Sequence, residues 1–227
     1  MNGEEVLAHI KEKYPEVVVL VASAKEDVKT KVALLRSGAE DFISKPFDTE
    51  ELLPHIRFTP FVRMLCAELS GGEKNPLILA RRFYDYCTTV GTYSFMREYF
   101  TLPDSIPDYY GTGLKGDCGV QALLFITLCR CAGIPAQWQS GNTAEPDFIG
   151  SHDWARFYVE PYGWLFADPS YGVSANRQGC EERRQFYFGN LDPFRMVANR
   201  EFQENFTIPK EFWRNDPYDN QSGEMET

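Results

Sequence analysis

Histidine is scarce in this chain: its 227 residues hold three, His9, His55 and His152. A reaction that needs an imidazole base therefore has few places to occur. Basic charge is short too, with 23 Lys and Arg against 33 Asp and Glu and a formal net charge of -10. Such a surface repels a phosphate backbone, so nucleic acid is not an expected partner. No apolar run approaches the roughly 20 residues of a membrane-spanning helix. The start, Met1-Asn2-Gly3-Glu4-Glu5, is acidic and lacks the apolar stretch of a signal peptide. These absences lead us to expect a cytoplasmic protein without a membrane partner. The six cysteines, Cys66, Cys87, Cys118, Cys129, Cys131 and Cys180, include no CxxC pair. With so few histidines they complete no zinc site, and no metal or cofactor is expected. They read as reduced thiols rather than as a disulfide framework.

What is present is ordinary for a globular protein, with 43% hydrophobic and 25% charged residues. Two segments of unlike character follow one another. In residues 1–57, helical patterns at Glu4–Tyr14, Glu26–Arg36 and after Asp48 alternate with the apolar runs Val17–Ala22 and Phe42–Ser44. That alternation argues for a parallel α/β arrangement. Residues 58–75 read as a linker, with a short helix at Val62–Leu69 and the flexible break Ser70-Gly71-Gly72. Residues 76–218 read as a second domain of mixed helix and antiparallel sheet, giving an α+β chain. Its first helix begins at Pro76. A short strand follows near Thr92–Phe95. The acidic, polar end, residues 219–227, reads as a disordered tail.

The chemistry concentrates in the second segment. Lys115-Gly116-Asp117-Cys118-Gly119-Val120 precedes a helix over Gly119–Ala132. Asp117 is a good N-cap, which puts Cys118 in the first helical turn. Unpaired N–H groups and the macrodipole there favour a thiolate and offer donors to an oxyanion. Gly116 and Gly119 leave space beside the sulfur, and Gly119 is a candidate substrate contact. An isolated cysteine at such a place is more often a small buried residue. Strands are expected at Ile134–Ser140, His152–Val159 and Trp164–Ala167, with a loop over Gly141–Gly150 and a turn at Pro161-Tyr162-Gly163. A tight hairpin about Tyr162 pairs 156 with 168 and 152 with 172, so a bulge or bend is needed to bring His152 to Asp168. His152 is the one histidine of this segment. Trp138 and Trp154 are candidate walls of a substrate groove and equally candidates for the core. Tyr93, Tyr109 and Tyr110 lie upstream of the cysteine. Glu145, Asp147 and Asp153 are acids near the histidine without calcium-loop spacing. Arg183-Arg184 reads as a solvated helix face.

Two resemblances carry these readings further. GDCGVQALLFITLCRCAGIPA, SHDWARFYV and GWLFADPSYG resemble, in order, the blocks of the transglutaminase-like core, a papain-like arrangement. The resemblance implies Cys118 as nucleophile, His152 as base and Asp168 as the group orienting the imidazole. It implies acyl transfer on peptide amide or isopeptide bonds, hydrolysis by preference, with transglutaminase cross-linking or deamidation as the alternative. A non-catalytic binding module is the third reading. Some members place an aromatic donor at the oxyanion from the region upstream of the cysteine. VVVLVASA and SGAEDFISKPFDTEELL resemble the second half of a bacterial response-regulator receiver domain, with Ser23 at its switch hydroxyl and Lys45 at its phosphate-contacting lysine. The half that carries the phosphoacceptor has no counterpart in this sequence, so no working phosphoswitch is expected. Open strand edges in the segment lead us to expect a homodimer through it, or packing on the catalytic domain.

Overall fold

The computed structural model describes residues 3–14, 19–23, 33–34, 37–39, 41–44, 58–96, 102 and 105–200. In the N-terminal segment, helix α1 (Gly3–Lys13) is followed by strands β1 (Leu20–Ser23) and β2 (Asp41–Ser44). The two strands pair in parallel, as the α/β pattern requires. Leu7, Leu34 and Ala39 form a small buried cluster with Val19 and Val21 against it. The expected third helix and Lys45 lie outside the described residues, as do most of the second helix and the tail; of Ser23 only the backbone is described.

Residues 58–75 are not a bare linker. Thr59 caps helix α2 (Pro60–Ser70), its hydroxyl accepting from the Val62 N–H, and Val62, Leu65 and Cys66 are buried. The helix closes on Gly71, in the left-handed region at φ 52°, where a residue without Cβ is favoured. Asn75 caps α3 (Pro76–Val90) with Pro76 in the first turn. After β3 (Thr92–Tyr93) come α4 (Ile106–Gly113) and β4 (Lys115–Gly116), and β3 pairs with β4 in parallel.

Helix α5 (Cys118–Cys131) is the centre of the fold. Val120, Leu123, Leu124, Phe125, Ile126 and Leu128 are all fully buried, so it is apolar all round rather than amphipathic. It lies between α2, α3 and α4 and a sheet of five antiparallel strands, ordered β8-β7-β6-β5-β9. These are β5 (Ala136–Glu145), β6 (Phe148–Val159), β7 (Gly163–Ala167), β8 (Phe188–Gly189) and β9 (Arg195–Asn199). Helices α6 (Pro169–Arg177) and α7 (Glu181–Phe186) stand between β7 and β8.

The expected loop over Gly141–Gly150 is instead the paired body of the β5–β6 hairpin, which runs to Glu145 opposite Phe148. Gly141 breaks the strand pattern because it sits in a bulge facing β9: a Cβ there would lie 1.8 Å from the Met196 carbonyl oxygen. Strand alternation then sorts β6. Ala155, Phe157 and Val159 join the main core, with Phe157 edge-to-face on Phe125 of α5 at 5.7 Å. His152 and Trp154 alternate with them along the strand and are also buried, outside that cluster.

Candidate active site

Asp117 caps α5 as its residue type demands, accepting from the Val120 N–H at 3.1 Å. Cys118 is thereby the first helical residue, and as a residue it is half-buried. The space expected beside Gly116 is filled: a Cβ there would lie 1.9 Å from Val120 Cγ2 and 3.2 Å from the Tyr110 ring. Gly116 is needed for close packing, not for access. Gly119 is buried in the same turn.

The register of β6 and β7 answers the hairpin question without a bulge. Ala155 faces Ala167 and Arg156 faces Phe166. The next residue, Asp168, continues opposite Trp154 and is diagonal to His152 on one face. His152 Nε2 lies 2.7 Å from Asp168 Oδ2, with both side chains buried. Asp168 also caps α6, its Oδ1 accepting from the Tyr171 N–H at 2.9 Å. Burial pushes the Asp168 carboxyl up, but the charge and hydrogen bond of His152, the Arg195 guanidinium and the Tyr171 N–H outweigh it and hold the group below the ordinary aspartate range. With Asp168 ionised, Nε2–H is the donor, which leaves Nδ1 as the nitrogen that can take a proton.

Cys118 is placed differently from expectation. Its thiol donates to Asp153 Oδ2 at 3.5 Å. Asp153 follows His152 in the strand, and the start of α5 delivers the sulfur to its carboxylate. Burial pushes the Cys118 thiol well up, the charges of Asp153 and Asp117 push the same way, and the Asp153 backbone N–H offsets only part of this. The helix start does not make a thiolate here; two carboxylates and burial hold the resting thiol neutral.

The other candidates separate clearly. Trp138 is buried in the main core and forms no groove wall. Trp154 is also fully buried; it stacks on His152 at 6.0 Å and gives its indole N–H to Gln139 at 2.7 Å, so it backs the imidazole rather than lining a groove. Tyr110 is core, and Tyr109 lies half-buried on α4. Tyr93 is the tyrosine near the thiol. Burial, then the charges of Cys118, Asp117 and Asp153, push its hydroxyl up to about 12. It is therefore a protonated donor at neutral pH. Glu145 accepts from the Tyr171 hydroxyl at 2.7 Å, Asp147 is exposed and Asp153 is buried. Among the described residues no group of three or more His, Cys, Asp or Glu is placed to hold a metal ion. Arg184 is not on a solvated face: it is buried and reaches Asp85 at 2.5 Å, 99 residues away in sequence.

One neighbour was not legible in the sequence. Arg195, on β9, brings Nη1 to 2.9 Å from Asp168 Oδ2 with its side chain only 5% exposed. Phe194-Arg195-Met196, after Asp192-Pro193, carries no motif that marks a buried cation.

Comparison with known proteins matches these parts. A family model for the transglutaminase-like superfamily covers residues 63–169, and one for the response regulator receiver domain covers residues 1–57. The response regulators ArlR of Staphylococcus aureus and of Staphylococcus epidermidis are each 44% identical over 57 residues, 25% of this chain and 26% of theirs. The chain thus spans about a quarter of the length of the curated relatives it matches. Among solved structures, the periplasmic domain of TgpA from Pseudomonas aeruginosa is 21% identical with a TM-score of 0.46, covering 62% of this chain and 53% of that one. Its ethylmercury-bound form is 24% identical with a TM-score of 0.45, covering 56% and 49%.

Proposed function

For a chain that carries a transglutaminase-like core, the core of thiol-dependent enzymes, behind a receiver-like segment, we propose a cysteine hydrolase that opens peptide amide or isopeptide bonds through Cys118, His152 and Asp168. The observation that supports it most is the buried His152–Asp168 pair at 2.7 Å, one residue along the strand from the carboxylate that holds the Cys118 thiol. In this reading the His152 nitrogen not held by Asp168 takes the thiol proton as sulfur attacks the amide carbon. The first-turn N–H groups of α5 and the Tyr93 hydroxyl are the donors for the oxyanion. The imidazolium returns its proton to the leaving amine, and a thioester remains on Cys118. Water then adds to the thioester, the acid departs and the thiol is restored.

The test is turnover of a mixed peptide library by the full chain, read by mass spectrometry with and without a primary alkylamine. New free carboxyl ends that vanish in Cys118→Ala are the expected result. Amine-tagged products in place of acids would make the chain a transglutaminase. No turnover and no acyl adduct on Cys118 would leave the binding-module reading.

A further inference from the structure

Arg195 lies outside the residues 63–169 that match the transglutaminase-like core, yet it is built into the site. Its Nη1 is 2.9 Å from Asp168 Oδ2, the same oxygen that the His152 Nε2–H occupies at 2.7 Å. The Nη1 contact is a charge pair without an aligned hydrogen bond; the aligned bond on that oxygen belongs to the imidazole. The other side of the guanidinium is held by Asp192, with Nη2 at 2.8 Å and Nε at 3.1 Å from Oδ2. Aromatic rings enclose it: Tyr171 at 4.4 Å, Trp154 at 5.3 Å and Tyr187 at 5.8 Å. Tyr171 and Trp154 are also the two rings packed on His152. The bulge at Ser140/Gly141 lets β9 come close enough for this, and register puts Arg195 opposite Thr143.

We propose that Arg195 is a positioning residue of this site: it fixes the Asp168 carboxylate and shares its charge, so limiting how strongly Asp168 stabilises a protonated His152. The proposal rests on the reading of His152 as the base. A guanidinium stays charged at every working pH. Asp168 therefore serves a guanidinium and an imidazole through one oxygen, and each weakens the hold of the other. The charged and titratable groups around the imidazole are Cys118 and Asp117 from α5, Asp153 on its own strand, and Glu145 on β5 through Tyr171. Among the described residues Asp168, Tyr187, Asp192 and Arg195 stand with them, Arg183 lies over the Tyr171 ring at 5.4 Å, and Tyr93 is beyond the thiol.

The chain has three histidines, so each ring Cε1–H can be followed by NMR, with His152 assigned by its loss in His152→Gln. In the full chain carrying Cys118→Ala, which removes coupling to the thiol, Arg195→Gln should raise the midpoint of the His152 titration by about one pH unit. Arg195→Lys, which keeps the charge but cannot bridge two carboxylates, should fall between. Asp192→Asn removes the outer counter-charge and should move the midpoint down; it also decides the matter if Arg195→Gln does not fold. Midpoints that stay within about 0.2 unit of the parent in every folded variant would overturn the proposal and leave Arg195 a structural cation. Shifted midpoints without peptide turnover would remove the proposed activity and keep this one; turnover with unmoved midpoints would do the reverse.

Discussion

At Cys118, the Asp153 carboxylate takes the thiol's hydrogen bond and, with burial, keeps the sulfur neutral. Asp153→Asn should therefore lower the thiol pKa. Alkylation of Cys118 by iodoacetamide at pH 7 should speed up by about tenfold, since one unit of pKa is a factor of ten in thiolate. Rates located by peptide mass spectrometry decide it; an unchanged or slower rate would show that Asp153 does not hold the proton. Asp168 makes the complementary prediction. Burial opposes its ionisation, but His152, Arg195 and the Tyr171 N–H prevail and lower its pKa. A lowered folded value stabilises the fold above the unfolded aspartate value of about 3.9, and that contribution is lost as pH falls through the folded value. The melting temperature of the parent should drop steeply below about pH 4, and Asp168→Asn should flatten that acid arm while lowering stability at pH 7.

At the scale of elements, β9 is held near the site by an absence of side chain at Gly141. Gly141→Ala drives a Cβ into backbone, 1.8 Å from Met196 O and 2.9 Å from Ala198 N. It should cost about 1–3 kcal/mol, read from denaturant unfolding, and carry Arg195 away from Asp168. The same glycine explains why the β5–β6 hairpin reads as a loop in sequence: Gly141, Asn142 and Gly150 look like turn residues until a neighbouring strand is in place. Helix α5, its Asp117 cap and the three blocks around Cys118, His152 and Asp168 are legible because capping, periodicity and spacing are local. The thiol's hydrogen-bond partner is not legible: Asp153, the strand neighbour of His152, carries no motif that marks it as the acceptor for Cys118. Arg184 and Arg195 are illegible because their burial depends on Asp85 and Asp168, carboxylates far along the chain. Residues 58–75 mislead through Ser70-Gly71-Gly72, which ends a core helix rather than marking a flexible tether.

At the scale of the molecule, two hydrophobic clusters are distinct among the described residues: the small one of Leu7, Leu34 and Ala39, and the main core around α5. A variant beginning at Phe58 keeps the Thr59 cap and its hydrogen bond to Asp108 at 2.6 Å. It should melt within a few degrees of the full chain, whereas one beginning at Asn75 loses α2 and should melt far lower. Light scattering tests the expected pairing of the N-terminal segment: a dimer for the full chain and a monomer for the Phe58 variant would support it, and a monomeric full chain would leave packing on the second domain. The central claim is tested most directly by mixing the full chain with p-nitrophenyl acetate and following p-nitrophenolate release and intact mass. The account predicts one acetyl per chain, mapped to Cys118, formed about 10²-fold more slowly in His152→Ala. Acetylation spread to the exposed Cys180, or a rate that survives His152→Ala but fails in Asp153→Asn, would contradict His152 as the base of this site.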